Sequence, residues 1–123
     1  MKRVVAIWID HKEAVIAAIA DGAETTSRLE SGVEHGGGAM GESGAEDQRD
    51  RRFANHLRTY YDAVIAQVKD AGGILLIGPG EAKHELEKRI RAEGLGERLV
   101  GVETTDKMTD HQVAARAREQ FQT

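Results

Sequence analysis

The sequence predicts a single α/β domain in which a mixed sheet of five strands is flanked by helices. Apolar, β-branched runs of strand length open the chain and return near residues 73–78 and 98–103. An apolar pattern at helical spacing occupies residues 45–71 between them. Strand–helix–strand units with short links favour parallel strand pairs joined by right-handed crossovers, so the later strands extend the sheet that the first strands begin.

The first thirty residues predict an antiparallel meander of three strands. Residues 3–9 and 13–20 are apolar runs that the polar sequence DHKE separates. Asp21-Gly22 indicates a tight turn, since glycine takes a positive φ at no steric cost. Residues 25–31 alternate moderately in polarity and predict the third strand.

A long helix is predicted at residues 45–71, packed on the sheet. Its inward positions, at helical spacing, are Phe53, Leu57, Tyr60, Tyr61, Val64, Ile65 and Val68. Its opposite face carries Arg51, Arg52, Arg58, Asp62 and Lys69. Gly72-Gly73 should end the helix, because glycine is favoured just past a helix C-terminus.

The rest of the chain alternates strand and helix. The continuous apolar run at residues 73–78 predicts a strand covered on both faces, and residues 98–103 predict another buried strand. Residues 81–93 predict a helix that Gly94 ends, and the Thr109–Gln112 pattern is typical of a capping box at the start of the last helix. The predicted order is β-β-β-α-β-α-β-α within one domain, residues 1–123.

Composition limits the classes of function. With 31% charged and 40% hydrophobic residues, the chain is typical of a soluble globular protein. It has no cysteine, which excludes disulfides, thiolate metal sites and a cysteine nucleophile and is compatible with the cytoplasmic location that we expect. The first residues lack the apolar region of a signal peptide, and no apolar run has the length of a membrane span. The net charge is −4, so contact with nucleic acid needs a local basic patch.

Three segments resemble a known family. The segment AIWIDHKEAVIAAI resembles the opening strands of the middle domain of archaeo-eukaryotic peptide-chain release factors and of Pelota, the ribosome-rescue factor. GILLIGPGEAKHEL is similar to the Pelota-type segment, with Gly78, Pro79, Gly80 and Lys83 in matching places. VEHGGG stands where those factors carry a His-Gly loop before their long helix. The resemblance covers essentially the whole chain, includes small stand-alone bacterial proteins, and agrees with an element order found in ribonuclease H-like folds.

We call the segment around Gly36, Gly37 and Gly38 the glycine loop. It departs from the release-factor pattern at the position that defines the release activity. In release factors this loop carries a Gly-Gly-Gln motif, whose glutamine helps to place a water against the peptidyl-tRNA ester. Here Ala39 and Met40 follow the glycines, and the nearest glutamine is Gln48. The resemblance therefore does not extend to peptide release, and a glycine cluster with Ser and Glu is also typical of a flexible connection.

The predicted function is a non-catalytic, translation-associated module that binds the ribosome, ribosomal RNA or a tRNA, without a cofactor. No catalytic residue and no metal ligand is assigned. Lys83 could add positive charge to a helix start, where free N–H groups attract anions, although turn geometry alone can explain Gly78 and Gly80. The binding candidates are His35, Gly36, Gly37, Gly38, Arg51, Arg52, Arg58, Gly78, Gly80 and Lys83.

Two other classes stay open at this point. One is a hydrolase, either a peptidyl-tRNA hydrolase that uses the glycine loop or a metal-dependent nuclease that uses Asp10. A turn-forming aspartate is the simpler interpretation of Asp10, which is followed directly by His11-Lys12. The other is a protein-interaction module that forms a homodimer through a sheet edge or its helices.

Overall fold

The computed structural model describes residues 3–32 and 45–121, with side chains from residue 54 onward in the second range. The predicted element order is confirmed. The strands are β1 (Val4–Ile9), β2 (Glu13–Ala20), β3 (Ala23–Glu30), β4 (Gly73–Gly78) and β5 (Leu99–Thr104). The helices are α1 (Ala45–Val68), α2 (Ala82–Ala92) and α3 (Asp110–Gln120), with a 3₁₀ turn at Gly96–Arg98.

The five strands form one mixed sheet in the order β3-β2-β1-β4-β5. The meander β1–β2–β3 is antiparallel, and β4 pairs parallel with both β1 and β5. The predicted five-stranded mixed sheet flanked by helices is therefore confirmed, and its strand order is compatible with a ribonuclease H-like fold.

The sheet buries both of its faces. Val5, Ile7 and Ile9 point to the face that α1 and α2 cover, whereas Ala6 and Trp8 point to the face that α3 covers. This division follows from the strand period of two, which sends successive side chains to opposite faces. All six residues of β4 are buried, which confirms the prediction for that strand.

The prediction that β5 is a buried strand was wrong. β5 lies at the edge of the sheet, and Val100 is 48% exposed. Ile74 pairs with Leu99 and Leu75 with Gly101, so Val100 is the extra residue of a β-bulge. A bulge bends an edge strand and opposes the addition of another strand. The other edge strand, β3, is almost entirely exposed and polar.

The ends of the elements follow the local signals in the sequence. Asp21 and Gly22 both have a positive φ in the β2–β3 turn, and Gly94 has φ 82° after α2. Thr109 Oγ1 accepts a hydrogen bond from Gln112 N, and Gln112 Oε1 accepts one from Thr109 N, which is the capping box of α3. None of the described helices combines the length and apolarity that a membrane crossing requires.

Candidate functional site

The topology brings Gly78, Gly80 and Lys83 to one edge of the sheet, the edge at which β1 and β4 end. The β1–β2 turn, the β4–α2 turn and the link from β5 to α3 all lie there, because β1, β4 and β5 are parallel. β3 also ends there, since Ser31 N donates to Lys12 O at 2.8 Å. We call this the carboxyl edge. In open α/β sheets, ligands bind beyond the carboxyl ends of the strands.

Helix α1 extends beyond the carboxyl edge. It runs antiparallel to β1, because Arg3 contacts Gln67 O near one end of the strand and Tyr60 OH donates to Asp10 O at 2.8 Å near the other. The part of α1 before Tyr60 therefore adds about 20 Å of helix past the end of β1. Consistent with this, the side chains of residues 54–56 are all exposed.

Asp10 shapes the turn that follows β1. Its Oδ1 accepts hydrogen bonds from Lys12 N and Glu13 N, both at 2.8 Å. The carboxylate is thus engaged by the backbone, which agrees with the turn-forming interpretation. Among the described residues, no cluster of histidine and acidic side chains forms a group that could hold a metal ion. The nuclease hypothesis for Asp10 therefore gains no support from this part of the chain.

The two glycines of the Gly78-Pro79-Gly80 turn differ in their surroundings. A Cβ on Gly78 would overlap the carbonyl oxygen of Ile9, so the close approach of β1 and β4 requires glycine there. A Cβ on Gly80 would meet nothing within 4 Å. Packing therefore explains Gly78 but does not explain Gly80.

Lys83 lies inside the turn rather than on the surface where the sequence suggested a free charge. The residue is 3% exposed, and its Nζ donates to Gly80 O at 2.7 Å. A buried ammonium group needs such a partner, because burial without one is costly. Lys83 thus closes the Gly78-Pro79-Gly80 turn onto the first turn of α2.

A network of polar side chains at this edge was missed by sequence reasoning. Glu85 of α2 accepts a hydrogen bond from Tyr61 OH at 2.5 Å, and His11 Nε2 lies 3.1 Å from the same oxygen, Oε1. Burial, reinforced by the Glu85 carboxylate, raises the pKa of Tyr61 above its ordinary value, so its hydroxyl stays protonated and donates. The network ties the β1–β2 turn to both α1 and α2. The sequence signal related to this network is the helical spacing that predicted Tyr60 and Tyr61 on the inward face of α1.

Two solved Pelota structures share this backbone arrangement. The Thermoplasma acidophilum protein aligns with 98% of this chain and 31% of its own, at 18% identity and a TM-score of 0.55. The Archaeoglobus fulgidus protein aligns with 98% of this chain and 32% of its own, at 11% identity and a TM-score of 0.61. This chain has a Pelota-like fold. The resemblance that the sequence motifs indicate is therefore confirmed at the level of the fold.

The likeness to Pelota is limited to part of that protein. The chain spans about a third of the Pelota structures it matches. An archaeal translation termination factor, aRF1, also aligns with 97% of this chain and 39% of its own at 18% identity, but with a TM-score of only 0.47. No protein-family model matches the chain, and no curated protein matches it.

The remaining candidates belong to α1 and to the glycine loop. Arg58 is exposed on α1, one turn before Tyr61, and Arg51 and Arg52 lie in the part of α1 whose backbone alone is described. Gly32 and Ala45 bound the glycine loop: Gly32 follows β3, which ends at the carboxyl edge, and Ala45 begins the part of α1 that extends beyond that edge. The loop candidates themselves, His35, Gly36, Gly37 and Gly38, lie outside the described residues.

Proposed function

We propose that this chain is a translation-associated binding module that contacts the ribosome, ribosomal RNA or a tRNA and performs no reaction of its own. The observation that carries the proposal is the Pelota-like backbone, which extends over 98% of the chain. The motif resemblance to release and rescue factors supplies the translational context, since fold alone does not specify function.

The binding end in this proposal is the carboxyl edge. Loops at the carboxyl ends of parallel strands, held by a rigid sheet, are where open α/β proteins bind their ligands. The projecting half of α1, with Arg51, Arg52 and Arg58, adjoins this edge. The proposal also includes the glycine loop, which joins β3 to α1 in the sequence. The Gly80 backbone adds an open surface with no Cβ, which a partner can approach closely.

The absence of a reaction is part of the proposal and rests on the sequence of the glycine loop. Ester hydrolysis requires a group that orients or deprotonates a water at the reacting carbonyl. The residues that follow Gly36, Gly37 and Gly38 are Ala39 and Met40, whose side chains can do neither. Binding, by contrast, requires a surface of suitable shape and charge but no side chain that acts on a water.

Co-sedimentation with ribosomes at stepped salt concentrations tests the proposal. We expect the protein to pellet with ribosomes at low salt and to be released as salt rises, as contacts with phosphate are. Replacing Arg51, Arg52 and Arg58 together with alanine should lower the affinity, because each removes a cation from the projecting helix. Arg118→Ala, on α3, is the control and should change little. Failure to pellet at the lowest salt would contradict the proposed function.

A further inference from the structure

The two edge strands of the sheet differ in how they are protected. β5 carries the bulge at Val100, which opposes the addition of another strand. β3 pairs with β2 in an unbroken register, and its sequence contains no proline. Its residues 23–28 are all exposed, and no strand of the described residues pairs with its outer side. β3 is therefore a regular edge strand that is open to pairing with a further strand.

The backbone of β3 directs alternate residues toward β2 and away from it. Ser31 N donates to Lys12 O at 2.8 Å, just beyond the last strand pair, so Ser31 faces β2. Because hydrogen-bonded and non-hydrogen-bonded pairs alternate along an antiparallel ladder, the odd-numbered residues of β3 bond to β2. The even-numbered residues direct their N–H and C=O groups outward. These residues are Glu24, Thr26, Arg28 and Glu30.

A symmetric dimer restricts how two copies of β3 can pair. A two-fold axis perpendicular to the sheet makes the two strands antiparallel and keeps each side chain on its own face. Residues directly opposite each other in an antiparallel pair lie on the same face, so even-numbered residues must meet even-numbered ones. The pairing is therefore centred on a single residue, and the outward N–H and C=O groups of one copy meet those of the other.

The charges on β3 favour one centre for this pairing. Centring on Thr26 puts Glu24 opposite Arg28 of the partner subunit, and by symmetry it does so twice. Centring on Ser27 puts Glu24 opposite Glu30 of the partner subunit, and centring on Arg28 puts two arginines together. Opposite charges stabilise directly opposed positions and like charges destabilise them. Of these registers, the one centred on Thr26 is therefore the stable one.

Both of these charges are held on the α3 side of the sheet by contacts within the chain. Glu24 pairs with Arg118 of α3, and Arg28 pairs with Glu13 and Asp110. The two side chains are thus ordered before a partner arrives, which lowers the entropic cost of association. A guanidinium group has five N–H donors, and a carboxylate accepts about four hydrogen bonds, so each retains capacity for the charge opposite.

We infer that β3 pairs with β3 of a second copy of this chain, antiparallel and centred on Thr26. Two copies of the five-stranded sheet then form one continuous sheet, joined by about six backbone hydrogen bonds from three opposed pairs. A second copy is favoured over an unrelated peptide because the order of charges on β3 is complementary to itself. Antiparallel pairing directs the two carboxyl edges in opposite directions. The inference does not rest on the proposed function.

Sedimentation velocity over a range of protein concentrations tests this pairing. We expect wild type to change from monomer to dimer between about 1 μM and about 1 mM. Thr26→Pro removes an outward N–H, so it spares the hydrogen bonds to β2 but blocks the centre of the pairing, and it should stay monomeric. Thr26→Ala keeps that N–H and should still dimerise. Wild type that stays monomeric throughout, or a dimer that Thr26→Pro retains, would overturn the inference.

Charge reversal tests the register. Glu24→Arg and Arg28→Glu each place like charges opposite each other, so each variant alone should dimerise about tenfold or more weakly. An equimolar mixture of the two restores opposite charges at both positions and should form heterodimers, detected with a fluorescent label on one variant. The same reversals on α2, Lys88→Glu and Glu93→Arg, are the controls and should dimerise like wild type. Reversals that leave dimerisation unchanged, or a mixture that stays monomeric, would overturn the inference.

Circular dichroism and thermal unfolding of each variant separate a loss of dimer from a loss of fold. If a charge reversal unfolds the monomer, because it also breaks an internal ion pair, the comparison of Thr26→Pro with Thr26→Ala still decides. Ribosome co-sedimentation separates this inference from the proposed function. A protein that pellets with ribosomes but never dimerises would reject the pairing of β3 and leave the proposed function standing. A dimer that does not pellet would do the reverse.

Discussion

At the scale of single residues, Gly78 is the position whose identity the fold explains most directly. A Cβ there would overlap the carbonyl oxygen of Ile9, a backbone atom that cannot turn aside as a side chain can. We expect Gly78→Ala to lower the free energy of unfolding by about 1–3 kcal/mol, because β1 and β4 must separate to make room. Urea denaturation measures this loss.

The neighbouring glycine provides the matched control. Gly80 is in the same turn, but a Cβ on it would meet nothing within 4 Å. We expect Gly80→Ala to change the free energy of unfolding by no more than about 0.5 kcal/mol. Equal effects of the two substitutions would show that the close approach of Ile9 to Gly78 is not as described.

At the scale of secondary-structure elements, Glu13 joins three parts of the chain. On β2, it pairs with Arg28 of β3 and with Lys107 of the β5–α3 link, and Arg28 also pairs with Asp110 at 2.7 Å. The hydrogen bond from Lys107 is the main cause that lowers the pKa of Glu13 below its usual 4.5, with Arg28 acting in the same direction and partial burial opposing them. The lowered pKa means that the charged form of Glu13 stabilises the folded state.

The sign of this effect predicts how stability depends on pH. A carboxyl group whose pKa is lower in the folded state stabilises the fold above its unfolded pKa, and loses that contribution as the pH falls through its folded pKa. We therefore expect Glu13→Gln to be less stable than wild type at neutral pH, and the difference to shrink as the pH falls from about 4.5 downward. Urea unfolding of both proteins across that range measures it.

Glu93→Gln is the control for this prediction. Glu93 is exposed, and its side chain makes no ion pair with the described residues. Its substitution should leave stability nearly unchanged at both ends of the pH range, as exposed substitutions generally do. A constant difference between Glu13→Gln and wild type at all pH values would mean that the Glu13 charge does not stabilise the sheet.

At the scale of the whole molecule, binding and reaction are separate questions. We expect the purified protein not to hydrolyse peptidyl-tRNA above background, with or without ribosomes. The glycine loop has Ala39 and Met40 where a water-orienting glutamine would be needed, and neither side chain can act on a water. Release of labelled peptide from peptidyl-tRNA measures the reaction, with a known peptidyl-tRNA hydrolase as the positive control.

A positive result would change the class of the protein. Turnover that disappears in His35→Ala or Gln48→Ala would place the glycine loop in a hydrolase. Turnover that survives both substitutions would make His11 and Glu85 the next candidates for the catalytic pair, because His11 Nε2 lies 3.1 Å from Glu85 Oε1.

The sequence by itself determined the elements and their order. Local signals do not depend on the rest of the chain: the apolar, β-branched run of β1, the helical period of Tyr60, Tyr61 and Val64, and the capping box of Thr109 each act over a few neighbouring residues. They predicted every strand to within two residues, and α1 to within three. The motif resemblance supplied the Pelota-like fold.

Only the tertiary structure decided which surfaces remain exposed and which polar groups meet. β5 begins with the apolar residues Leu99 and Val100, yet it lies at the edge because strand order depends on pairings between distant segments. Lys83 is spaced as a surface residue would be, but the fold of its turn buries it. His11 and Glu85 are separated by 74 positions and Tyr61 and Glu85 by 24, so no local pattern could reveal their contact. Periodicity reports the face on which a side chain lies, whereas the packing of separate elements determines what it meets there.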